Sequence, residues 1–557
     1  MIEGILLGLK TALSFTNLLM VMFGCIIGTV IGMLPGLGPM TAIALMIPIT
    51  YGFDPATGLI LMAGVYYGAV FGGSTSSILI NAPGVPGTVA TTFDGYPMAQ
   101  QGKAGKALAI AAYSSFSGGT IAAIFLLIAA PQLAKVSLSF QSADYFALMC
   151  VGLLSIAAFA SKGQFLKAMV MTALGLALAT VGQDSLSDIT RFAFGNINLM
   201  DGISFVLLVM ATFAMSEAFM IIFKKMDINF KSSDASKDKL GSIKLSKSEV
   251  KEMVPTIGRT SVLGFLVGVL PGAGATIASF LAWGFERSIA SAKEKLKFGK
   301  GSIKGLAAPE TANNAACTGS FVPLLTLGIP GSGTTAVMLG ALLSFGVQPG
   351  PRLYVEQPEL FWAVIVSMYI GNIVLLVLNL PLIPYIARIL AIPKNILVPL
   401  VLFFSVTGVY LISFNSFDIY FMAIVALLSL VLRVLNYPMP PLILGFILGG
   451  MLEKNLRRAI IINDGSFSFM WERPISLALF IISSLFIPES GLKIGRLLVS
   501  DTALKLDNVC DATCPTLSPV TSAIAFILVA IIFAILIIAR LKNITQYLSG
   551  ITSIIFC

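Results

Sequence analysis

GTVIGMLPGLG at 28–38 and GFLVGVLPGAG at 264–274 are one phrase written twice, each time inside a strongly apolar stretch. Pro-Gly-x-Gly does not belong in an uninterrupted helix: a proline in a helix interior costs about 3 kcal/mol and each glycine about 1 kcal/mol. A second pair follows, GVPGTVAT at 84–91 and GIPGSGTT at 328–335. Two long arms, each with two interrupted apolar segments, predict a secondary transporter built from internal repeats.

Outward from these phrases the chain stays apolar. It has 557 residues, 57% hydrophobic and 11% charged; a soluble protein of this size carries about 25% charged residues. Many runs approach the roughly 20 residues that cross a bilayer. The predicted fold class is an all-α polytopic membrane protein with two inverted-topology repeats and broken or re-entrant hairpin helices. Met1 to Lys10 has no basic n-region and no small-residue cleavage site, so no cleavable secretory signal is expected. The net charge of +9 comes from Lys and Arg placed mostly in short loops, which points to cytoplasmic retention of those loops and not to nucleic acid. Six scattered cysteines include a C-x3-C at Cys510 and Cys514, and there is no histidine. No metal site or cofactor is expected, and proton coupling would fall to Asp or Glu.

Basic residues orient the spans. Lys103 and Lys106 precede apolar runs at 107–132, 142–160, 165–182 and 201–223. Alternation then places Lys162, Lys167, Lys224 and Lys225 on the cytoplasmic side with Lys103. Residues 224–260 are lysine-rich and read as a cytoplasmic link. A second basic stretch, RSIASAKEKLKFGKGSIK, covers 287–304. Between these loops, 261–285 reads as a hairpin that leaves and returns on one side, with limbs of about ten residues turning at Pro271-Gly272. The matching 15–49 segment lacks basic flanks beyond Lys10 and opens toward the periplasm. The organisation is 1–223 first transmembrane repeat, 224–260 cytoplasmic linker, 261–490 second repeat and 491–557 an extension with one extra apolar span. Lys454, Arg457 and Arg458 fall on the outer side and strain the charge rule.

An interrupted helix bares N–H and C=O groups, which must be buried in protein or face a wet cavity. Helix N-termini suit anions, and unwound carbonyls suit Na⁺. The candidate region comprises Pro35, Gly36 and Gly38; Ser74, Thr75, Ser76 and Asn81; Gly84, Pro86, Gly87 and Thr88; Pro271, Gly272 and Gly274; Glu310, Asn313 and Asn314; and Gly328, Pro330, Gly331, Ser332, Thr334 and Thr335. No Lys or Arg lies within either polar cluster, so an anion would be held by backbone N–H groups, hydroxyls and amides. Glu310 near membrane depth costs about 2.5–3.5 kcal/mol and points to cation coupling. Plainer readings stand beside these. Gly24, Gly28 and Gly264 read as a helix-packing stripe. Ser74 to Ser77 also fit interhelical hydrogen bonding, Glu310 a solvated surface, and Asn313 and Asn314 a helix cap.

Four phrases, GMLPGLGP (32–39), YGAVFGGSTSSILINAPGVPGT (67–88), PETANNAACTGSFVPLLTLGIPGSGTT (309–335) and RPIS (473–476), carry a resemblance. Over residues 1–490 the chain resembles the large membrane subunit of the tripartite tricarboxylate transporters. That resemblance implies a multi-pass protein of the bacterial inner membrane with two partners, a small membrane subunit and a periplasmic solute-binding protein. It implies symport of citrate-like tricarboxylates or related carboxylates with Na⁺ or H⁺. The residues after 490 depart from the family pattern. The rival classes are an anion channel and a non-transporting membrane scaffold. An intramembrane enzyme finds no catalytic group, lacking His, G-x-S-x-G and a metal-ligand cluster.

Overall fold

Backbone groups in hydrocarbon must bond within their own segment, so long apolar runs fold as helices. The computed structural model describes residues 2–34, 36–158, 164–184, 189–224, 241–272, 274–388 and 394–485. Pro35 and the predicted extension at 491–557 lie outside the described residues. Among those described, seven helical stretches are long and apolar enough to cross a membrane: Phe15–Met33, Pro55–Ile80, Pro86–Ser137, Phe205–Phe223, Pro358–Asn379, Ile396–Ser413 and Ser416–Val434. The chain is a multi-pass membrane protein.

The chain forms two compact units, Met1–Ser139 with Ser204–Met439, and Phe140–Ile203 with Pro440–Cys557. Each unit therefore draws on both halves of the sequence. In the larger unit the helix Pro55–Ile80 is central, 94% buried over its apolar window, whereas Ser416–Val434 is only 17% buried. Close helix approach is set by small residues. A Cβ on Gly24 would lie 2.5 Å from the carbonyl of Leu61, and Gly28 and Gly32 abut Val65 and Ala69 in the same way. The second arm repeats this packing: Gly264 meets Ala312 and Gly268 meets Ala316. The packing-stripe reading of Gly24, Gly28 and Gly264 holds.

One expectation changes. The incoming limb of the second hairpin is not ten residues long: the helix runs Lys247–Val269, 23 residues, and takes in the end of the predicted linker. Its start is set by a capping box in which Ser246 and Glu249 satisfy each other's backbone N–H, and Met253 and Ile257 pack this lysine-rich start into an apolar cluster. The outgoing limb, Gly274–Ile289, is 16 residues. Away from the turn the limbs are tied by Arg259, whose Nε and Nη2 each donate to Glu286 at 2.8 Å.

The smaller unit holds Ser142–Ala158, Phe165–Leu178, most of Met439–Ile462, and Pro474–Leu485. A short antiparallel pair, Gly182–Gln183 with Thr190–Arg191, brings Arg191 to Glu453 at 2.9 Å. Arg457, one of the charges that strained the topology, is paired with Asp184 at 2.9 Å and with Glu453 at 2.5 Å. The RPIS phrase has a structural task here: Arg473 and Ser476 both bond the buried Asp144, at 2.7 and 2.6 Å.

Candidate functional site

The two arms break their helices with the same backbone. Leu34 (φ −82°, ψ 114°) and Leu270 (φ −72°, ψ 122°) turn extended after the helices Phe15–Met33 and Lys247–Val269. Gly36 (φ 96°) and Gly272 (φ 79°) then take a conformation that side chains resist. Gly38 and Gly274 open the outgoing helices Gly38–Thr50 and Gly274–Ile289. Pro271 sits at the second turn, and Gly272 N–H donates to the carbonyl of Gly331 at 3.0 Å. The second Pro-Gly turn is thereby placed beside the second break of its own arm.

The second breaks also match, in a register that differs from the sequence pairing. Reading glycine against glycine sets 84–91 beside 328–335; the structure pairs NAPGVPGT at 81–88 with GIPGSGTT at 328–335. Asn81 (φ 53°) and Gly328 (φ 70°) are the left-handed residues that end the helices Pro55–Ile80 and Phe321–Leu327. Gly84 abuts Gly32 and Gly73, and Gly331 abuts Gly268 and Ser320. Thr88 Oγ1 donates to Val85 O at 2.9 Å, as Thr335 Oγ1 does to Ser332 O at 3.0 Å. Pro86, Gly87 and Thr88 form a 3-10 turn. Ser332 and Thr335 cap the helix Gly333–Ser344, with Pro330 just before and Thr334 buried at its start.

Each arm also reaches into the other's break. Asn313, fully buried in the helix Ile303–Gly319, abuts Gly87, where an added Cβ would lie 2.5 Å from its Oδ1. Neither Oδ1 nor Nδ2 of Asn313 has a hydrogen-bond partner. From the first arm, Tyr66 OH lies 3.4 Å from Ser332 Oγ, and Tyr67 OH bonds Thr318. Asn314 behaves differently from its neighbour: its Nδ2 donates to the Glu310 carbonyl at 3.1 Å, within its own helix. Neither asparagine caps a helix, which removes that reading.

Glu310 is fully buried, which overturns the solvated alternative. Its Oε2 accepts from Ser74 Oγ at 2.7 Å and Ser115 Oγ at 2.8 Å, and its Oε1 accepts from Thr91. Ser76 and Ser77 donate to Gly73 O on their own helix, at 3.1 and 2.8 Å. Beside Glu310 is a cavity of about 10 Å³, lined by Ser74, Thr75, Ser115 and Asn379 among others.

Every described residue of the candidate region falls in the larger unit. Sequence reasoning missed Thr91, Ser115 and Asn379. It also missed a cation near the first turn: Arg433 pairs with Glu217, whose Oε1 would lie 2.8 Å from a Cβ on Gly36, and Arg433 Nη2 donates to Thr212 O at 2.9 Å. The signal was available, since Glu217 is an acid inside the apolar run 201–223 and Asn379 stands among apolar neighbours. Asp94 is likewise buried and receives Trp283 Nε1 at 2.9 Å and the N–H groups of Gly299, Gly301 and Ser302 at 2.7–3.0 Å, fastening the second basic loop to the helix Val89–Met98.

The family model described as the tripartite tricarboxylate transporter TctA family matches residues 18–444. An uncharacterized 52.8 kDa protein of the TAR-I ttuC' 3' region of Agrobacterium vitis is 42% identical over 482 residues, 86% of this chain and 94% of that protein. An uncharacterized protein of the TAR-II ttuC' 3' region of the same organism is 44% identical over 216 residues, 39% of this chain and 88% of that protein. No solved structure matches.

Proposed function

Because the chain belongs to the tripartite tricarboxylate transporter TctA family, we propose that it is the large membrane subunit of a secondary transporter that imports tricarboxylates or related organic carboxylates. It works in the bacterial inner membrane with a small membrane subunit and a periplasmic solute-binding protein that delivers the substrate. A Na⁺ or H⁺ gradient drives the import. The two arms act as inverted repeats, and the two hairpins are re-entrant limbs that move relative to the lipid-facing helices.

One observation carries the placement of the substrate. Asn313 is a buried amide with neither end paired, set against Gly87 in the opposite arm's break. An unpaired buried polar group costs about 1–3 kcal/mol, and native proteins keep few of them. A carboxylate between Gly87 and the N-terminus of the helix Gly333–Ser344 gives Asn313 Nδ2 an acceptor and meets the helix dipole at its positive end. Gly87 lets the Asn313 amide come this close, since a Cβ there would lie 2.5 Å from its Oδ1.

The test is uptake of labelled citrate by cells that carry all three components. Asn313→Leu removes both polar ends at similar volume and is expected to raise the half-saturating citrate concentration about tenfold or more, for a loss of about 1.4 kcal/mol. Membrane levels of the subunit should stay normal. Uptake unchanged in Asn313→Leu and Gly87→Ala would remove this site. Saturable accumulation against a gradient separates a carrier from an anion channel, and any uptake separates it from a scaffold.

A further inference from the structure

We propose that Glu310, Asn379, Ser74 and Ser115 form a binding site for one Na⁺ ion. The inference deepens the transport reading, on which only its coupling role rests; ion binding itself stands on the geometry.

Three hydroxyls converge on Glu310, Ser74 and Ser115 on Oε2 and Thr91 on Oε1. Each hydroxyl can donate to an ionised carboxylate, which is acceptor-only, and Ser74 Oγ also lies 3.3 Å from Val70 O. Among the described residues no Lys or Arg forms an ion pair with Glu310. A fully buried carboxylate without a cation is costly, and buried charges are ordinarily paired or bound to a metal.

A second, independent observation points into the same place. Asn379 is 4% exposed and lines the cavity beside Glu310. Its Nδ2 donates to Leu375 O at 3.0 Å, which fixes the amide, and its Oδ1 is buried without a partner. The cavity, about 10 Å³, admits one water-sized sphere. The polar part of its wall is the Glu310 carboxylate, the Asn379 amide and the hydroxyls of Ser74, Thr75 and Ser115, with Phe71, Leu108, Ala111 and Ala112 completing the lining. Hard oxygen donors of this kind, with no thiolate or imidazole, suit a hard cation of low charge. One carboxylate balances one unit of positive charge.

The site is joined to the substrate region by covalent spacing. Glu310 precedes Asn313 by one turn of the same helix, Ser74 lies on the helix that ends in the first arm's second break, and Thr91 lies on the helix that follows it. An ion held here draws Pro55–Ile80, Ala104–Ser137 and Ile303–Gly319 together around Gly87 and Asn313. Binding of the ion therefore sets the shape that receives the carboxylate.

The experiment is thermal unfolding of the purified full chain, without carboxylate, in rising NaCl with choline chloride holding ionic strength constant. A saturable rise of about 2–5 °C specific to Na⁺ is expected. It should vanish in Glu310→Gln, which keeps the shape and hydrogen bonds of the carboxylate, and in Asn379→Leu. Should either variant fail to fold, Ser115→Ala is expected to raise the half-saturating Na⁺ concentration. No Na⁺-specific rise, a rise that persists in both variants, or stability that follows pH alone overturns the site. A Na⁺ rise in a chain whose full system shows no carboxylate uptake keeps the ion site and removes the transport reading. Uptake with no Na⁺ rise does the reverse.

Discussion

Asn81 and Gly328 hold the same left-handed turn with different side chains, φ 53° and φ 70°. Asn tolerates this region because its short polar side chain bonds locally, while β-branched residues do not. Replacing Asn81 by Gly is therefore expected to leave stability within about 0.5 kcal/mol, and Asn81→Val to cost about 1–2 kcal/mol. Thermal unfolding of the two variants checks this, and equal shifts would remove the backbone explanation. The same pair shows why the repeat register was misread: matching glycine letters cannot see that Asn fills a glycine-like position. Glu310 was legible as a costly acid in an apolar region. Its partners were not, because the bonds from Ser74, Thr91 and Ser115 link residues 195 to 236 positions apart.

Helix pairs are the next scale, and there close packing decides. Without a hydrophobic drive between helices in lipid, contact depends on how near the backbones come. Gly28 against Val65 and Gly264 against Ala312 are equivalent contacts in the two arms. Gly28→Val and Gly264→Val are each expected to destabilise by about 1–3 kcal/mol, since an overpacked core must shift backbone. Gly284 is the control. It lies in the helix Gly274–Ile289 with nothing within 4 Å of an added Cβ, so Gly284→Ala is expected to gain up to about 1 kcal/mol from helix propensity. Unfolding midpoints and protease resistance in detergent measure all three. Loss in Gly284→Ala equal to that in Gly264→Val would count against the packing argument. The glycine spacing was readable at this scale; the limb is longer than its apolar run because apolar length does not bound a helix. A helix continues past the hydrocarbon wherever its caps and backbone bonds allow.

Across the molecule, charge is arranged in two ways. Inside the larger unit, polar groups gather around the breaks. Near helix starts, lysines are held by acids: Lys106 to Glu249 and Lys304 to Glu294, both at 2.7 Å. The Lys106 ammonium draws the Glu249 carboxyl from its ordinary 4.5 down to about 2, and Lys304 does the same to Glu294. A depressed folded value means that these pairs stabilise fully above pH 4.5 and lose that contribution as the pH falls toward 2. Stability followed from pH 5 to pH 2 should therefore fall less steeply in a Lys106→Met, Lys304→Met double variant than in the parent. The difference should shrink in high salt, because both pairs touch solvent. Identical pH profiles at low salt would rule the pairs out as contributors.

Residue by residue, the chain alone determined its membrane class, the places where helices must stop, and its kinship to a transporter family. Those properties rest on composition and on local backbone chemistry, in which Pro and Gly act wherever they stand. Only the tertiary structure decided that Asn313 faces Gly87 unpaired while Asn314 bonds its own helix, and that Glu310 meets hydroxyls from three other helices. Adjacent residues on a helix point about 100° apart. Which of them enters a site depends on the helices packed around it, and that packing is set by contacts between distant parts of the chain.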